Sequence, residues 1–88
     1  MNSINLTSQL IKCHSVTPKE AGTFKVIKNL FKNTDFNIHE INKNGIKNLF
    51  LRWGSKHLPT FGFSGHIDVV TPGEISDWKS KTFSGEII

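Results

Sequence analysis

The most informative segment of this chain reads Thr60-Phe61-Gly62-Phe63-Ser64-Gly65-His66-Ile67-Asp68-Val69-Val70-Thr71-Pro72-Gly73. Its apolar alternation predicts a strand over residues 60–65, and Pro72 and Gly73 cannot continue a strand. Residues two apart in an extended backbone point to the same face, so Asp68 can accept a hydrogen bond from one ring nitrogen of His66 while the other nitrogen faces a ligand. In metal sites, such a carboxylate fixes the tautomer of the ligating histidine. Because open α/β sheets place their sites at the carboxyl ends of strands, this pair is a candidate metal site.

The same spacing also has a purely structural interpretation. A histidine at a strand end needs no metal to be satisfied, because a hydrogen bond to Asp68 is enough for His66. Two other histidines, His39 and His57, lack metal-ligand spacing to His66. The spacing alone therefore leaves a metal ligand and a structural pair both open.

Two helices are predicted upstream of this segment. The first, over residues 3–13, follows from apolar residues near helical spacing, which are Ile4, Leu6, Leu10 and Ile11. The second, from residue 18 to about residue 33, follows from the stretch Thr17-Pro18-Lys19-Glu20, which has the pattern of a capping box with proline at the first helical position. An apolar stripe continues this helix through Phe24, Ile27, Leu30 and Phe31.

A hairpin is predicted between the second helix and the central segment. Residues 36–42 alternate as a strand, Asn44-Gly45 is a strong two-residue turn signal, and residues 47–53 form the returning strand. With residues 60–65 as a third strand, the order of elements predicts an α/β fold with helices packed against a sheet.

Composition excludes several classes of protein. The net charge is +4, from 11 lysines and arginines against 7 acidic residues, but the lysines are scattered singly, which argues against nucleic-acid binding. No stretch approaches the roughly 20 apolar residues of a membrane span, and the N-terminus lacks the pattern of a signal peptide. A single cysteine, Cys13, excludes an internal disulfide. We therefore expect a cytoplasmic protein with neither nucleic acid nor membrane as a partner.

The central residues resemble the first metal-site segment of the zinc aminoacylase and carboxypeptidase family of metallopeptidases. The resemblance runs from Gly65-His66-Ile67-Asp68-Val69-Val70 through Pro72-Gly73 and Asp77-Trp78 to Phe83. Upstream it extends over Leu10-Ile11, Ser15-Val16-Thr17-Pro18, Ala21-Gly22, Asn48-Leu49-Phe50 and Arg52-Trp53-Gly54. It thus covers essentially all 88 residues.

The family resemblance implies a function and a role for two residues. The implied reaction is hydrolysis of an amide bond in a small N-acyl amino acid by water that two zinc ions activate, with cobalt as a possible substitute. His66 matches a ligand of one zinc ion, and Asp68 matches the residue of the catalytic machinery that orients this histidine.

The resemblance also implies that residues 1–88 are the N-terminal portion of an α/β/α zinc-hydrolase catalytic domain. In the family, the other metal ligands, the catalytic glutamate and the dimerisation domain come after the position that matches residue 88. We therefore expect the chain alone to be inactive, and the complete enzyme to be a homodimer. An unfinished sheet exposes edge amides and apolar faces, which predicts poor solubility or partial disorder of the chain in isolation.

Two questions stay open at the level of sequence. The residues that grip the distal part of an N-acyl substrate lie outside the chain, so the choice of substrate within the family is undecided. A non-catalytic alternative is a remnant of such an enzyme or a small basic binding module.

Overall fold

A computed structural model describes residues 2–87 of the chain. Along the sequence the elements are α1 (Ser3–Ile11), α2 (Thr23–Phe31), β1 (Asn37–Lys43), β2 (Ile46–Arg52) and a 3₁₀ helix (Ile75–Asp77). The two helices and the hairpin expected from the sequence are present, which confirms the α/β class. Neither helix in the described range is long and apolar enough to cross a membrane.

Helix α1 forms where its apolar spacing predicts it. The side chain of Asn2 caps its first turn by accepting a hydrogen bond from the backbone N–H of Asn5 at 2.8 Å. Such a cap satisfies one of the amides that a helix N-terminus leaves without an intrahelical partner.

Helix α2 begins at Thr23, five residues after the predicted start at Pro18. The capping box predicted at Thr17 is wrong, because Thr17 is bonded to a distant part of the chain. Its backbone N–H donates to the carbonyl oxygen of Val69 at 3.2 Å, and its hydroxyl donates to Asp68. These contacts hold Thr17 outside the helix.

Glu20 caps α2 from a different position in the loop. Its carboxylate accepts hydrogen bonds from the backbone N–H groups of Gly22 and Phe24, both at 3.0 Å. The acidic residue of the predicted motif thus still satisfies first-turn amides, where its charge also complements the helix dipole.

The hairpin forms as an antiparallel pair of seven residues on each strand, from Asn37 opposite Arg52 to Lys43 opposite Ile46. Asn44 and Gly45 connect the strands with φ angles of 53° and 78°. Two-residue hairpin turns need positive φ at both positions, and asparagine and glycine tolerate it best. The turn prediction is confirmed.

The predicted third strand is wrong for the chain as the structure describes it. Residues 60–65 pair with no other described strand, since the sheet contains only β1 and β2. The aromatic side chains of this segment, Phe61 and Phe63, are 83% and 94% exposed. Apolar alternation gives a strand its two faces, but a strand forms only where a partner can take its backbone hydrogen bonds.

The buried core of the described residues is small and lies on α2. Phe24 is the large apolar side chain that is buried, at 5% exposed, and it faces a cavity that Ile27, Leu49 and Leu51 also line. Many other large apolar side chains remain exposed, among them Trp53, Leu58, Val70 and Ile87. The exposed apolar surface expected of an unfinished sheet is therefore present, and poor solubility stays a prediction.

Candidate functional site

His66 and Asp68 form the hydrogen-bonded pair that their spacing predicts. The Nδ1 atom of His66 lies 3.1 Å from Oδ1 of Asp68 and 3.0 Å from the backbone carbonyl oxygen of Asp68. Both partners are acceptors, so Nδ1 must carry the hydrogen, and the lone pair of the neutral ring is on Nε2. The His66 side chain is 84% exposed, which leaves this nitrogen free to approach a ligand.

Asp68 is held from its other side by Thr17. The Thr17 hydroxyl donates to Oδ2 of Asp68 at 2.5 Å, so the two carboxylate oxygens have different partners. The hydrogen bond from Thr17 lowers the pKa of the Asp68 carboxyl below its ordinary value, and the bond from His66 lowers it further. Asp68 is therefore ionised at neutral pH and accepts from both neighbours.

A short segment, here called the Ser15–Thr17 strap, fastens the chain on which this pair lies. Ser15 is buried, and its hydroxyl donates to the carbonyl oxygen of Ile67 at 2.8 Å. The N–H of Val69 donates to the carbonyl oxygen of Ser15 at 3.0 Å, and Val16 pairs with Val69 in an isolated parallel bridge. The strap thus fixes residues 67–69, although the preceding residues 60–65 pair with no described strand.

The imidazole of His66 borders two cavities. One, of about 280 Å³, lies between α2 and β2 and is lined by residues such as Phe24 and Leu49. The other, of about 700 Å³, lies between α1 and the segment after Asp68. Its lining is apolar and includes Leu10, Val70, Trp78 and Phe83. The ring can therefore be reached from two sides.

Trp78 and Phe83 both contact the chain near the site. The indole N–H of Trp78 donates to the carbonyl oxygen of Pro72 at 3.0 Å, which ties down the loop that follows Asp68. Phe83 stacks on the ring of His14, with centroids 4.2 Å apart and an interplanar angle of 19°. Phe83 thus packs against His14, while Trp78, which is 52% exposed, acts on the loop through its indole N–H.

The described residues offer one candidate ligand for a zinc ion. Across residues 2–87, no three His, Cys, Asp or Glu side chains are grouped closely enough to hold a metal ion. His66, with an exposed Nε2 and an anionic partner on Nδ1, fits one imidazole ligand and its orienting carboxylate. The zinc-binding role of His66 and the catalytic role of Asp68 stay predictions.

The sequence interpretation missed the part that Thr17 and Ser15 play at this site. It assigned Thr17 to a helix cap, because a threonine three residues before a glutamate is a local signature of one. The Thr17 hydroxyl instead donates a hydrogen bond to Asp68, which is 51 residues away in the sequence. No local pattern in a single sequence carries that pairing.

The chain is similar to curated proteins named succinyl-diaminopimelate desuccinylase. It is 44% identical over 80 residues to the protein of Paracoccus denitrificans, which covers 91% of this chain and 21% of that protein. Over 88 residues it is 41% identical to the protein of Cereibacter sphaeroides strain ATCC 17029 and 39% identical to that of Roseobacter denitrificans, in each case covering 99% of this chain and 23% of the relative. No protein-family model matches the chain.

These relatives confirm the resemblance drawn from the residues around His66 and narrow it to proteins named succinyl-diaminopimelate desuccinylase. The aligned region covers 91% to 99% of the chain, and these three relatives carry one name. The chain spans about a fifth of the length of each relative. It is thus homologous, over nearly all of its own length and about a fifth of theirs, to the succinyl-diaminopimelate desuccinylases.

Proposed function

We propose that this chain supplies one side of the zinc site of a succinyl-diaminopimelate desuccinylase. The observation that carries the proposal is identity of about 40% to proteins of that name across a chain that includes the His66–Asp68 pair. The proposed reaction cleaves N-succinyl-LL-2,6-diaminopimelate with water to succinate and LL-diaminopimelate. That reaction belongs to the biosynthesis of lysine and diaminopimelate.

In this proposal, His66 binds a zinc ion through Nε2. Asp68 keeps the hydrogen on Nδ1 and raises the basicity of the ring, because its carboxylate accepts from that nitrogen. The zinc ions, when bound, would polarise the substrate carbonyl and lower the pKa of the attacking water. Catalytic zinc usually has at least three protein ligands, so residues 2–87 alone do not provide a catalytic centre.

The rest of the site is proposed to come from a longer chain. Residues 1–88 would then form the N-terminal portion of the catalytic domain, in an enzyme with two zinc ions per subunit, a small N-acyl amino acid substrate and a homodimeric assembly. The exposed aromatic residues Phe61 and Phe63 support this proposal, because they offer an apolar face for further strands. The single cysteine fits a reducing, cytoplasmic setting.

Two alternatives to a desuccinylase remain, one a related enzyme and one without catalytic activity. Acetylornithine deacetylase or a related metallopeptidase would use the same ligand pair on another N-acyl substrate, and the shared name of the relatives favours the desuccinylase. A non-catalytic remnant or small basic binding module is consistent with the single candidate ligand in the described range.

Zinc stoichiometry and hydrolysis of an N-succinyl amide test the proposal. Both are measured on this chain and on a version extended through the downstream reading frame. We expect the extended protein to hold about two zinc ions and to cleave the substrate, and the 88-residue chain to do neither. His66→Ala should abolish both properties in the extended protein.

His57→Ala is the matched control, because His57 is an exposed loop histidine without metal-ligand spacing to His66. It should leave zinc content and rate unchanged. If neither protein binds zinc above background, the His66–Asp68 pair is a structural hydrogen bond and the enzyme proposal is wrong. Zinc binding with cleavage of N-acetyl but not N-succinyl substrates would favour the deacetylase.

A further inference from the structure

We propose that Thr17 is a positioning residue for His66. It fixes the orientation and the tautomer of the His66 ring through the carboxylate of Asp68. This inference rests on the proposed function for its purpose, but the contacts that carry it do not depend on a metal. Thr17 reaches Asp68 from 51 positions away in the sequence, and its hydroxyl is 2.5 Å from Oδ2. Thr17, Asp68 and His66 thus form a hydrogen-bonded series of side chains that ends at the exposed Nε2 of His66.

The carboxylate needs a second anchor because it lies at the surface. The Asp68 side chain is 49% exposed and its partner His66 is 84% exposed, so a single hydrogen bond between them would leave the carboxylate free to rotate. The hydroxyl of Thr17 takes one oxygen, so the other oxygen remains directed at Nδ1 of His66. Each carboxylate oxygen then has its own donor.

Thr17 can act as an anchor because its own backbone is held. Its N–H donates to the carbonyl oxygen of Val69, the residue after Asp68, at 3.2 Å. Ser15, at the other end of the strap, binds the carbonyl oxygen of Ile67, the residue before Asp68. The hydroxyl of Thr17 is therefore fixed relative to both flanks of the residue that it contacts.

The consequence is control over which nitrogen of His66 carries the hydrogen. A neutral imidazole can place its hydrogen on either nitrogen, and only the form with hydrogen on Nδ1 presents a lone pair on Nε2. The Asp68 carbonyl oxygen, at 3.0 Å from Nδ1, supports the same form, so loss of Thr17 should weaken the preference and not reverse it.

The test is the tautomer of His66 in the metal-free 88-residue chain, read from its two imidazole ¹⁵N chemical shifts while the ring is neutral. Thr17→Val keeps the branched shape and the backbone hydrogen bond but removes the hydroxyl. We expect the ratio of the Nδ1–H to the Nε2–H form to fall about threefold to tenfold, below the usual ~10–100-fold effect of a direct histidine partner on metal affinity. Thr17→Ser, which keeps the hydroxyl, should restore the ratio of the original chain.

Thr7→Val is the matched control, because the Thr7 hydroxyl donates within α1, to the carbonyl oxygen of Ser3 at 2.7 Å. It should leave the His66 tautomer unchanged. Protection of the Val69 amide from exchange reports whether the strap remains docked in each variant. If a valine methyl beside the carboxylate undocks the strap, Thr17→Ala removes the hydroxyl without adding that methyl.

An unchanged tautomer ratio in a docked Thr17→Val or Thr17→Ala variant overturns the proposal. So does a Thr17→Ser variant that shifts the ratio as far as Thr17→Ala, since shape and not the hydroxyl would then act. Zinc content of the extended protein separates this inference from the proposed function. If the tautomer depends on Thr17 but the extended protein binds no zinc, the positioning role is supported and the enzyme proposal is contradicted. If the extended protein binds zinc but the tautomer does not depend on Thr17, the enzyme proposal is supported and the positioning role is contradicted.

Discussion

The hairpin and residues 60–65 both have sequences that predict strands, but their structures differ. Strands β1 and β2 pair over seven residues each, while residues 60–65 pair with no described strand. The hairpin strands find one another across the two-residue turn at Asn44-Gly45. Residues 60–65 need a partner from a distant part of a chain, and none of the described residues supplies one.

The difference shows that alternation encodes the faces of a strand but not its partner. In residues 60–65 the two aromatic rings contact one another instead, with Phe61 and Phe63 edge to face at 5.1 Å between centroids. Beyond the hairpin, the Ser15–Thr17 strap provides a single parallel bridge, between Val16 and Val69. The candidate site is therefore held by the two backbone hydrogen bonds of that bridge together with the side-chain hydrogen bonds of Ser15 and Thr17.

The largest expected contrast between the two regions comes from removing an aromatic side chain in each. Phe24→Ala deletes the buried apolar side chain behind the hairpin, and such a change typically costs about 3–5 kcal/mol. A core this small cannot absorb that loss, so we expect helical circular dichroism and amide protection in β2 to collapse.

Phe63→Ala provides the matched control, because Phe63 is 94% exposed. Its effect on the free energy of unfolding should stay within about 0.5 kcal/mol. Equal destabilisation by the two changes would mean that residues 60–65 have a structural partner, and the contrast between the regions would fail.

A smaller contrast is expected from glycine substitutions. Gly45→Ala places a side chain at a φ of 78°, and we expect a cost of about 1–2 kcal/mol, measured as faster amide exchange in β1 and β2. Gly62→Ala meets no atom within 4 Å and does not lie at a left-handed φ. That change should be neutral or slightly stabilising, since alanine lowers the entropy of the unfolded chain.

The two glycine substitutions also test whether residues 60–65 lack a pairing partner. If Gly62→Ala lowers the unfolding midpoint as much as Gly45→Ala does, close backbone approach at Gly62 is present and the segment is paired in solution.

The smallest effect is expected at the ion pair that joins α2 to the hairpin. Lys28 donates to the carboxylate of Glu40 on β1, and this hydrogen bond lowers the pKa of Glu40 below its ordinary value. A carboxyl whose pKa is lowered by folding adds stability above its unfolded pKa, and that stability is lost as the pH falls through the folded pKa. Both side chains are partly exposed, so the contribution is small.

Thermal melts as a function of pH measure this contribution. Glu40→Gln should lower the midpoint slightly at neutral pH and approach that of the original chain in acid. Asp35→Asn is the control, because Asp35 makes no ion pair with any residue between positions 2 and 87. A pH dependence that survives Glu40→Gln unchanged would assign it to another group.

Much of the candidate site could be predicted because its key pair is local. His66 and Asp68 are two residues apart, and an extended backbone at that spacing brings their side chains together whatever surrounds them. The role of Thr17 could not be predicted, because the local cap signature competes with a hydrogen bond formed only after the chain folds back. Helix α2 begins later than the sequence predicts for the same reason.

The sequence by itself determined α1, the extent of the hairpin, its Asn44-Gly45 turn and the His66–Asp68 pair. Each depends on interactions within a few residues, where propensity and spacing act directly. Only the tertiary structure decided where α2 begins, that residues 60–65 remain unpaired among the described strands, and that Thr17 anchors Asp68. Those outcomes depend on which distant segments meet, and the hydrogen bonds that they form outweigh a local signal when they leave fewer polar groups unsatisfied.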